Sequence, residues 1–306
     1  MAIPDFQTIM LPLLRFAGDG EEHSVHDATD KLALEFNLTE EEKTKLLPSG
    51  QQPRFFNRIS WARTYLKKAG LFIYPKRGYL KITDRGKEVL KNKPEKIDMK
   101  FLRQFPEYIE FKQTIHKDKG SEDDESQSID NELTPEEALE EAYQKIRDDL
   151  SVELLSYVIN STPGFFEKLV VELLVNMGYG GSRRDAARAV GQSGDEGIDG
   201  IIDEDRLGLD TIYIQAKKWK DDTSIGRPEI QKFVGALQGQ RARKGIFITT
   251  SHFAKTAKEY VKNIDTKVVL IDGQRLTELM IDYGVGVAHS TTYEIKSLDT
   301  DYFESA

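Results

Sequence analysis

Two stretches decide how this 306-residue chain is read: Gly191-Gln-Ser-Gly-Asp-Glu-Gly-Ile-Asp-Gly200, and Thr211-Ile-Tyr-Ile-Gln-Ala-Lys217. Glycines stand at 191, 194, 197 and 200, three apart throughout. A phosphate loop of Walker type needs Gly-Lys-Ser/Thr, which is absent here, and a dinucleotide fingerprint needs a different glycine spacing. A calcium loop needs a bidentate Glu at its end, and that spacing also fails. What remains is a tight, glycine-rich approach to a strand that begins at Ile198. Asp199 is the odd residue in that strand, among Ile198, Ile201 and Ile202. An unpaired carboxylate there is costly, and a bound cation would offset the cost. In the second strand Gln215 and Lys217 stand at i and i+2 and so share one face.

An Asp on one strand and an acceptor-x-Lys on the next suit hydrolysis of a phosphodiester. Asp199 and the side-chain oxygen of Gln215 are ligand types for a hard cation such as Mg²⁺. Such a cation polarises a phosphoryl oxygen and lowers the pKa of bound water. Lys217 supplies a compact positive charge to the attacking water and the transition-state oxygens. Glu167 lies one turn into an apolar helix at about 164–177 and is a further carboxylate placed to approach the cation; Glu172 reads as a surface residue. Taken singly, each has an ordinary reading: a chance tripeptide, a turn Asp, an exposed helix Glu. The ordered combination carries the specificity. The five histidines, at 23, 26, 116, 252 and 289, are scattered and make neither a zinc site nor a histidine-based nuclease.

Working outward, the second domain reads as α/β. Strand signals at 200–202, 211–216, 245–250 and 268–271 alternate with helical ones at 227–239, 254–263 and 273–282, which predicts a central mixed sheet with helices on its faces. Before it, Thr134-Pro135-Glu136-Glu137 starts a long helix that runs to about 159. Residues 117–135 are polar and acidic, a linker composition. The expected organisation is a DNA-binding domain over 1–95, an acidic linker over 96–135 and the α/β domain over 136–300.

The net charge of -9 looks wrong for a nucleic-acid partner, but it hides a local asymmetry. Residues 51–90 hold ten Lys or Arg against two acids, whereas residues 118–149 hold thirteen acids against three bases. The basic block is the part suited to phosphates. It follows helices read at 4–17, 26–36 and from Thr39, whose Glu42 completes a capping box. A helix over 54–69 buries Phe55, Ile59, Ala62, Leu66 and Ala69 on one face. Strand-like runs at 71–74 and 79–82 then flank the basic turn Pro75-Lys76-Arg77-Gly78, and Thr83 caps a short helix. This is the order of a winged helix-turn-helix, mostly α with a β-wing. Arg54, Asn57, Arg58, Arg63, Lys67 and Lys68 on the recognition helix, with Lys76 and Arg77 at the wing tip, are the expected DNA contacts. The bland alternative is a solvated basic helix face.

The chain has no cysteine, which excludes disulfides, zinc ribbons and thiol nucleophiles. Its first residues lack a signal-peptide pattern and no apolar run is long enough for a membrane span, so a cytoplasmic, membrane-free protein is expected.

The segments Gly164-Phe-Phe-Glu-Lys-Leu-Val, Gly178-Tyr-Gly-Gly, Gly194-Asp-Glu-Gly-Ile-Asp-Gly-Ile-Ile, Ile212-Tyr-Ile-Gln-Ala-Lys-Lys-Trp, Gly226-Arg-Pro-Glu-Ile-Gln-Lys-Phe-Val-Gly-Ala-Leu and Gly245-Ile-Phe-Ile-Thr-Thr-Ser together resemble the Mrr-type branch of the PD-(D/E)xK restriction-endonuclease superfamily, in which Gln replaces the usual acid of the second half-motif. Asn57-Arg-Ile-Ser-Trp-Ala-Arg, Leu66-Lys-Lys-Ala-Gly-Leu and Arg77-Gly resemble that family's winged-helix domain. The resemblance implies a type IV, modification-dependent endonuclease acting on methylated foreign double-stranded DNA. It implies Asp199, Gln215 and Lys217 as the catalytic core, Glu167 as helper, and Gln231 on a helix that often carries a polar residue. A double-strand cut with one site per chain implies a homodimer or higher homo-oligomer. Two rival readings are a non-catalytic DNA-binding regulator with a degenerate nuclease-like domain, and an RNA nuclease. The intact Asp-Gln-Lys set opposes the first; the lack of single-strand stacking aromatics opposes the second.

Overall fold

The protein is described from a computed structural model, which covers residues 3–116, 133–180, 197–205, 209–219, 223–296, 298 and 302. The chain divides into two compact units, Met1–Tyr143 with Lys296–Ala306, and Gln144–Ile295.

The first unit is built mainly of helices: α1 (Phe6–Phe16), α2 (Val25–Glu35), α3 (Glu40–Thr44), α4 (Arg54–Lys68), α5 (Asp84–Lys91), α6 (Met99–Leu102) and α7 (Pro106–His116). The caps written in the sequence form. Asp5 accepts from the N–H groups of Gln7 and Thr8, and the reciprocal box between Thr39 and Glu42 closes α3. The apolar stripe of α4 is buried as its spacing dictates: Phe55, Ile59, Ala62 and Leu66 lie in one core with Ile9, Met10, Leu13 and Leu14 of α1. The chain leaves α4 through Gly70 at φ +71°, a left-handed position that glycine adopts without a Cβ penalty. Strand β1 (His23–Ser24), β2 (Phe72–Ile73) and β3 (Tyr79–Ile82) form a small antiparallel sheet in the order β1-β3-β2. The hairpin of β2 and β3 matches the sequence reading. Two-residue β1 is too short to carry an alternation and has no sequence signal.

The expected linker over 96–135 is corrected at both ends. Ile97, Met99, Leu102 and Tyr108 are buried in the first core, so 97–111 is part of the folded unit. At the other end Thr134 caps a long helix, α8 (Pro135–Asn160), and is itself fully buried. The acidic middle, 117–132, lies outside the described residues. The division between units falls inside α8, after Tyr143, and not at the expected 135/136.

In the second unit the strands are β4 (Gly200–Asp203), β5 (Thr211–Lys217), β6 (Lys244–Thr249) and β7 (Lys267–Ile271), in that order across one sheet. β4 runs antiparallel to β5, while β5, β6 and β7 are parallel, which is the expected mixed sheet. The remaining helices among the described residues are α9 (Pro163–Asn176), α10 (Arg227–Gly239), α11 (Lys255–Lys262) and α12 (Gly273–Asp282). Side-chain alternation along β5 and β6 sends the two faces into two cores. Ile212, Ile214, Ile246 and Ile248 pack against α9, α12 and the second half of α8. Phe247, with Tyr213 beside it, packs against Ile230, Phe233 and Val234 of α10. The sheet is therefore covered by helices on both faces. No described helix is long and apolar enough to cross a membrane.

Candidate active site

The two deciding stretches meet where β4 and β5 pair. Asp199 sits just before β4, and its N–H donates to Ile214 O at 2.8 Å, which extends the ladder by one bond. Its carboxylate turns back on the neighbouring strand: Oδ2 accepts the N–H of Ala216 at 2.7 Å. Gln215 and Lys217 flank that residue on the other face of β5. The expected trio is thus brought together at one end of the sheet. Gly197 has φ +94°, and a Cβ placed there would come 2.7 Å from Gln215 Nε2. Glycine therefore serves two needs here, a left-handed turn and a close approach to the amide. The earlier glycines at 191 and 194 lie outside the described residues.

Gln215 is 7% exposed, and its Oε1 is a buried acceptor with no hydrogen-bond partner among the described residues. A buried polar atom left unpaired costs on the order of 1–3 kcal/mol. A cation ligated by that oxygen would remove the cost. Burial pushes the Asp199 carboxyl above the usual carboxylate range, opposed by the Ala216 N–H and the charge of Lys217. Glu167, on α9, is also raised, first by burial and then by the nearby Asp199. Two carboxyls that each resist ionisation, one facing the other's charge, form an environment that a cation would relieve. Among the described residues no group of three His, Cys, Asp or Glu is placed to hold a metal. A cation here would rely on Gln215 beside Asp199 and Glu167.

The lysine side of the site holds a residue that the sequence does not single out. Lys217 Nζ forms a close ion pair with Glu229 Oε2, from the first turn of α10. Gln231, which the family resemblance singled out, is exposed on the same helix. In sequence Glu229 reads as an acid in a helix's first turn, explained by the dipole alone. The strand-to-helix approach that delivers it to Lys217 has no local signature. The neighbouring Lys218 points elsewhere and donates to the carbonyls of Ile159 and Ser161, while Thr250 binds both the N–H and the carbonyl of Trp219. These bonds hold the exit of β5 in place.

The basic block of the first unit divides in two. Asn57 and Arg58 are corrected as exposed DNA contacts. Asn57 is 2% exposed, its side chain bonded to Gln52 and Thr134; Arg58 is 8% exposed and gives Nε and a terminal nitrogen to Glu137. Arg54 Nε lies 3.3 Å from the same carboxylate, and Trp61 Nε1 donates to Glu136. The acidic start of α8 thus covers this side of α4, because a buried guanidinium needs a buried partner. The rest of the block stays outward. Arg63 and Lys67 stack on the ring of Tyr74 at 4.5 and 4.2 Å, Lys68 stands over Phe111 and Lys76 over Tyr79. Lys67, Lys68, Lys76 and Arg77 are exposed. Burial, and then the charges of Lys68 and Arg63, lower the Lys67 pKa.

Comparison with known proteins adds to this geometry. Residues 159–280 match a family model described as a restriction endonuclease, and residues 6–92 match the Mrr N-terminal domain. A relative in Escherichia coli (strain K12), the type IV methyl-directed restriction enzyme EcoKMrr, is 36% identical over 310 residues, spanning 99% of this chain and 100% of its own length. The MspJI restriction endonuclease, solved in complex with a 27-mer oligonucleotide, is 21% identical over 48% of this chain and 32% of its own, with a TM-score of 0.28. That likeness is too slight to carry weight.

Proposed function

The chain belongs to the Mrr family of restriction endonucleases, and on that premise we propose that it is a type IV, modification-dependent deoxyribonuclease that hydrolyses phosphodiester bonds in methylated foreign double-stranded DNA. The observation that carries the reading is the buried Oε1 of Gln215, unpartnered among the described residues, beside the raised carboxyl of Asp199 and the ammonium of Lys217. The Gln215 oxygen and the Asp199 carboxylate fit a Mg²⁺ ion as ligands, with Glu167 as helper and Lys217 beside them as a separate positive charge. When bound, Mg²⁺ supplies charge neutralisation at the scissile phosphate and acidifies a water.

The chain's own residues do the rest. Asp199 Oδ2, fixed by the Ala216 N–H, presents its carboxylate without a search over rotamers. Gln215 offers a neutral oxygen, held in place by burial and by Gly197. Lys217 directs N–H groups at the attacking water and at the oxygens that gain charge. The outward cations Lys67, Lys68, Lys76 and Arg77, with Arg63, form the DNA-holding face of an N-terminal winged helix. They would act through phosphates, with α4 and the β2–β3 hairpin as recognition helix and wing. We place the enzyme in the cytoplasm as a homodimer or higher homo-oligomer, so that two sites serve two strands.

Plasmid cleavage tests the reading. Methylated and unmodified plasmid are incubated with Mg²⁺ and either wild-type protein or Asp199→Ala. Cleavage of the methylated plasmid by the wild type alone is expected. If wild type leaves both plasmids intact, the chain is a DNA-binding regulator and not an enzyme.

A further inference from the structure

We infer that Glu229 is a positioning residue for the reaction: its carboxylate holds the Lys217 ammonium in the orientation that faces the scissile phosphate. This rests on the nuclease reading above and adds a residue to it.

The geometry is specific. One oxygen of Glu229 takes Lys217 Nζ; the other accepts from Lys232 Nζ at 2.8 Å. The Lys232 side chain is 74% exposed, whereas those of Lys217 and Glu229 are 33% and 23% exposed. The carboxylate therefore bridges the site to the surface. Lys217 holds it below the usual carboxylate range, with Lys232 second, so it stays ionised.

Rigid elements deliver it. Ile225 is 1% exposed and bridges to Phe253 beyond the end of β6, with Ile225 N bonded to His252 O and Ala254 N bonded to Ile225 O. Gly226 and Pro228 then start α10, and Ile230 and Phe233 anchor it in the core. The first turn of α10 is thereby fixed beside the end of β5, where Lys217 stands.

A lysine has a four-carbon stem with much rotamer freedom to lose and three N–H donors. With one donor spent on Glu229, the stem is confined and two donors remain for water and phosphate oxygens. An ordinary surface ion pair stabilises a fold only slightly and touches nothing else. Catalysis, in contrast, is sensitive to displacement of a reacting group by about 1 Å.

The experiment compares full-length wild type with Glu229→Ala, Glu229→Gln and Glu229→Asp. It reads kcat and KM on methylated plasmid, melting temperature, and acetylation of Lys217 relative to the exposed Lys255, followed by mass spectrometry. Glu229→Ala should lower kcat about 10–100-fold, as loss of a group that orients another does. KM and melting temperature should hold, Lys217 acetylation should rise, and Glu229→Asp should recover more activity than Glu229→Gln. Wild-type kcat in Glu229→Ala, or unchanged Lys217 labelling, overturns the inference while leaving the nuclease reading intact. If the wild type cuts no DNA, the nuclease reading fails, and the labelling arm by itself decides whether Glu229 holds Lys217.

Discussion

Asp199 Oδ2 accepts the backbone N–H of Ala216 at 2.7 Å, so the residue between Gln215 and Lys217 is the one that fixes the carboxylate. A main-chain donor cannot swing away as a side chain can. The distance between the Asp on one strand edge and the Gln-x-Lys on the next is thus set by sheet register.

Asp199→Asn should separate activity from stability. The shape is kept, but the buried charge is lost. A carboxyl whose pKa is raised by folding costs stability as pH rises through the carboxylate range, so at neutral pH the charged Asp199 penalises the fold. The Asn variant should be inactive yet more stable by about 0.5–2 kcal/mol, or roughly 2–4 °C for each kcal/mol. Calorimetry without divalent cations checks this, and a lower melting temperature would count against it.

Cleavage should fall on the acid side, as pH drops through the raised carboxylate range. Asp199 and Glu167 both ionise above the usual carboxylate range, and protonation removes their affinity for a cation. Glu167→Gln removes one of the two repelling carboxylates, so the acid limb should move to lower pH. A pH profile of kcat/KM at saturating Mg²⁺ tests the direction; a limb that stays in place rules out coupling between the two.

Gly197→Ala should damage the site from outside the proposed catalytic trio. Its φ of +94° strains a residue with a Cβ, and that Cβ would press on Gln215 Nε2. Cleavage that needs more Mg²⁺ for half-maximal rate, with near-normal DNA binding, is the expected result.

Charge reversal on α4 should have two different outcomes. Arg58→Glu sets two buried carboxylates against each other, because Glu137 is 2% exposed, and should destabilise the first unit by about 3–5 kcal/mol. Lys67→Glu or Lys68→Glu should leave the melting temperature in place and weaken DNA binding, with the salt slope reduced by about 0.9 for each phosphate no longer neutralised. Denaturation and salt-dependent binding, run on the same variants, distinguish the two.

Much of the fold was legible because its signals are local. The caps at Thr39 and Thr83, the apolar stripe of α4 and the alternation of β5 each depend on neighbours a few residues away. Asp199, Gln215 and Lys217 were legible as a set because a carboxylate at the entry to an apolar strand and two polar residues on one strand face break the pattern that burial demands. Three things required the tertiary structure. The partnership of Lys217 with Glu229 depends on where α10 begins against β6. The withdrawal of Asn57 and Arg58 from solvent depends on Thr134 and Glu137, far along the chain. The inclusion of 97–111 in the first core depends on apolar residues too sparse to show a period. In sequence a charged residue announces its chemistry but not its counter-charge; which of the two meets water or the other is decided only when distant segments pack.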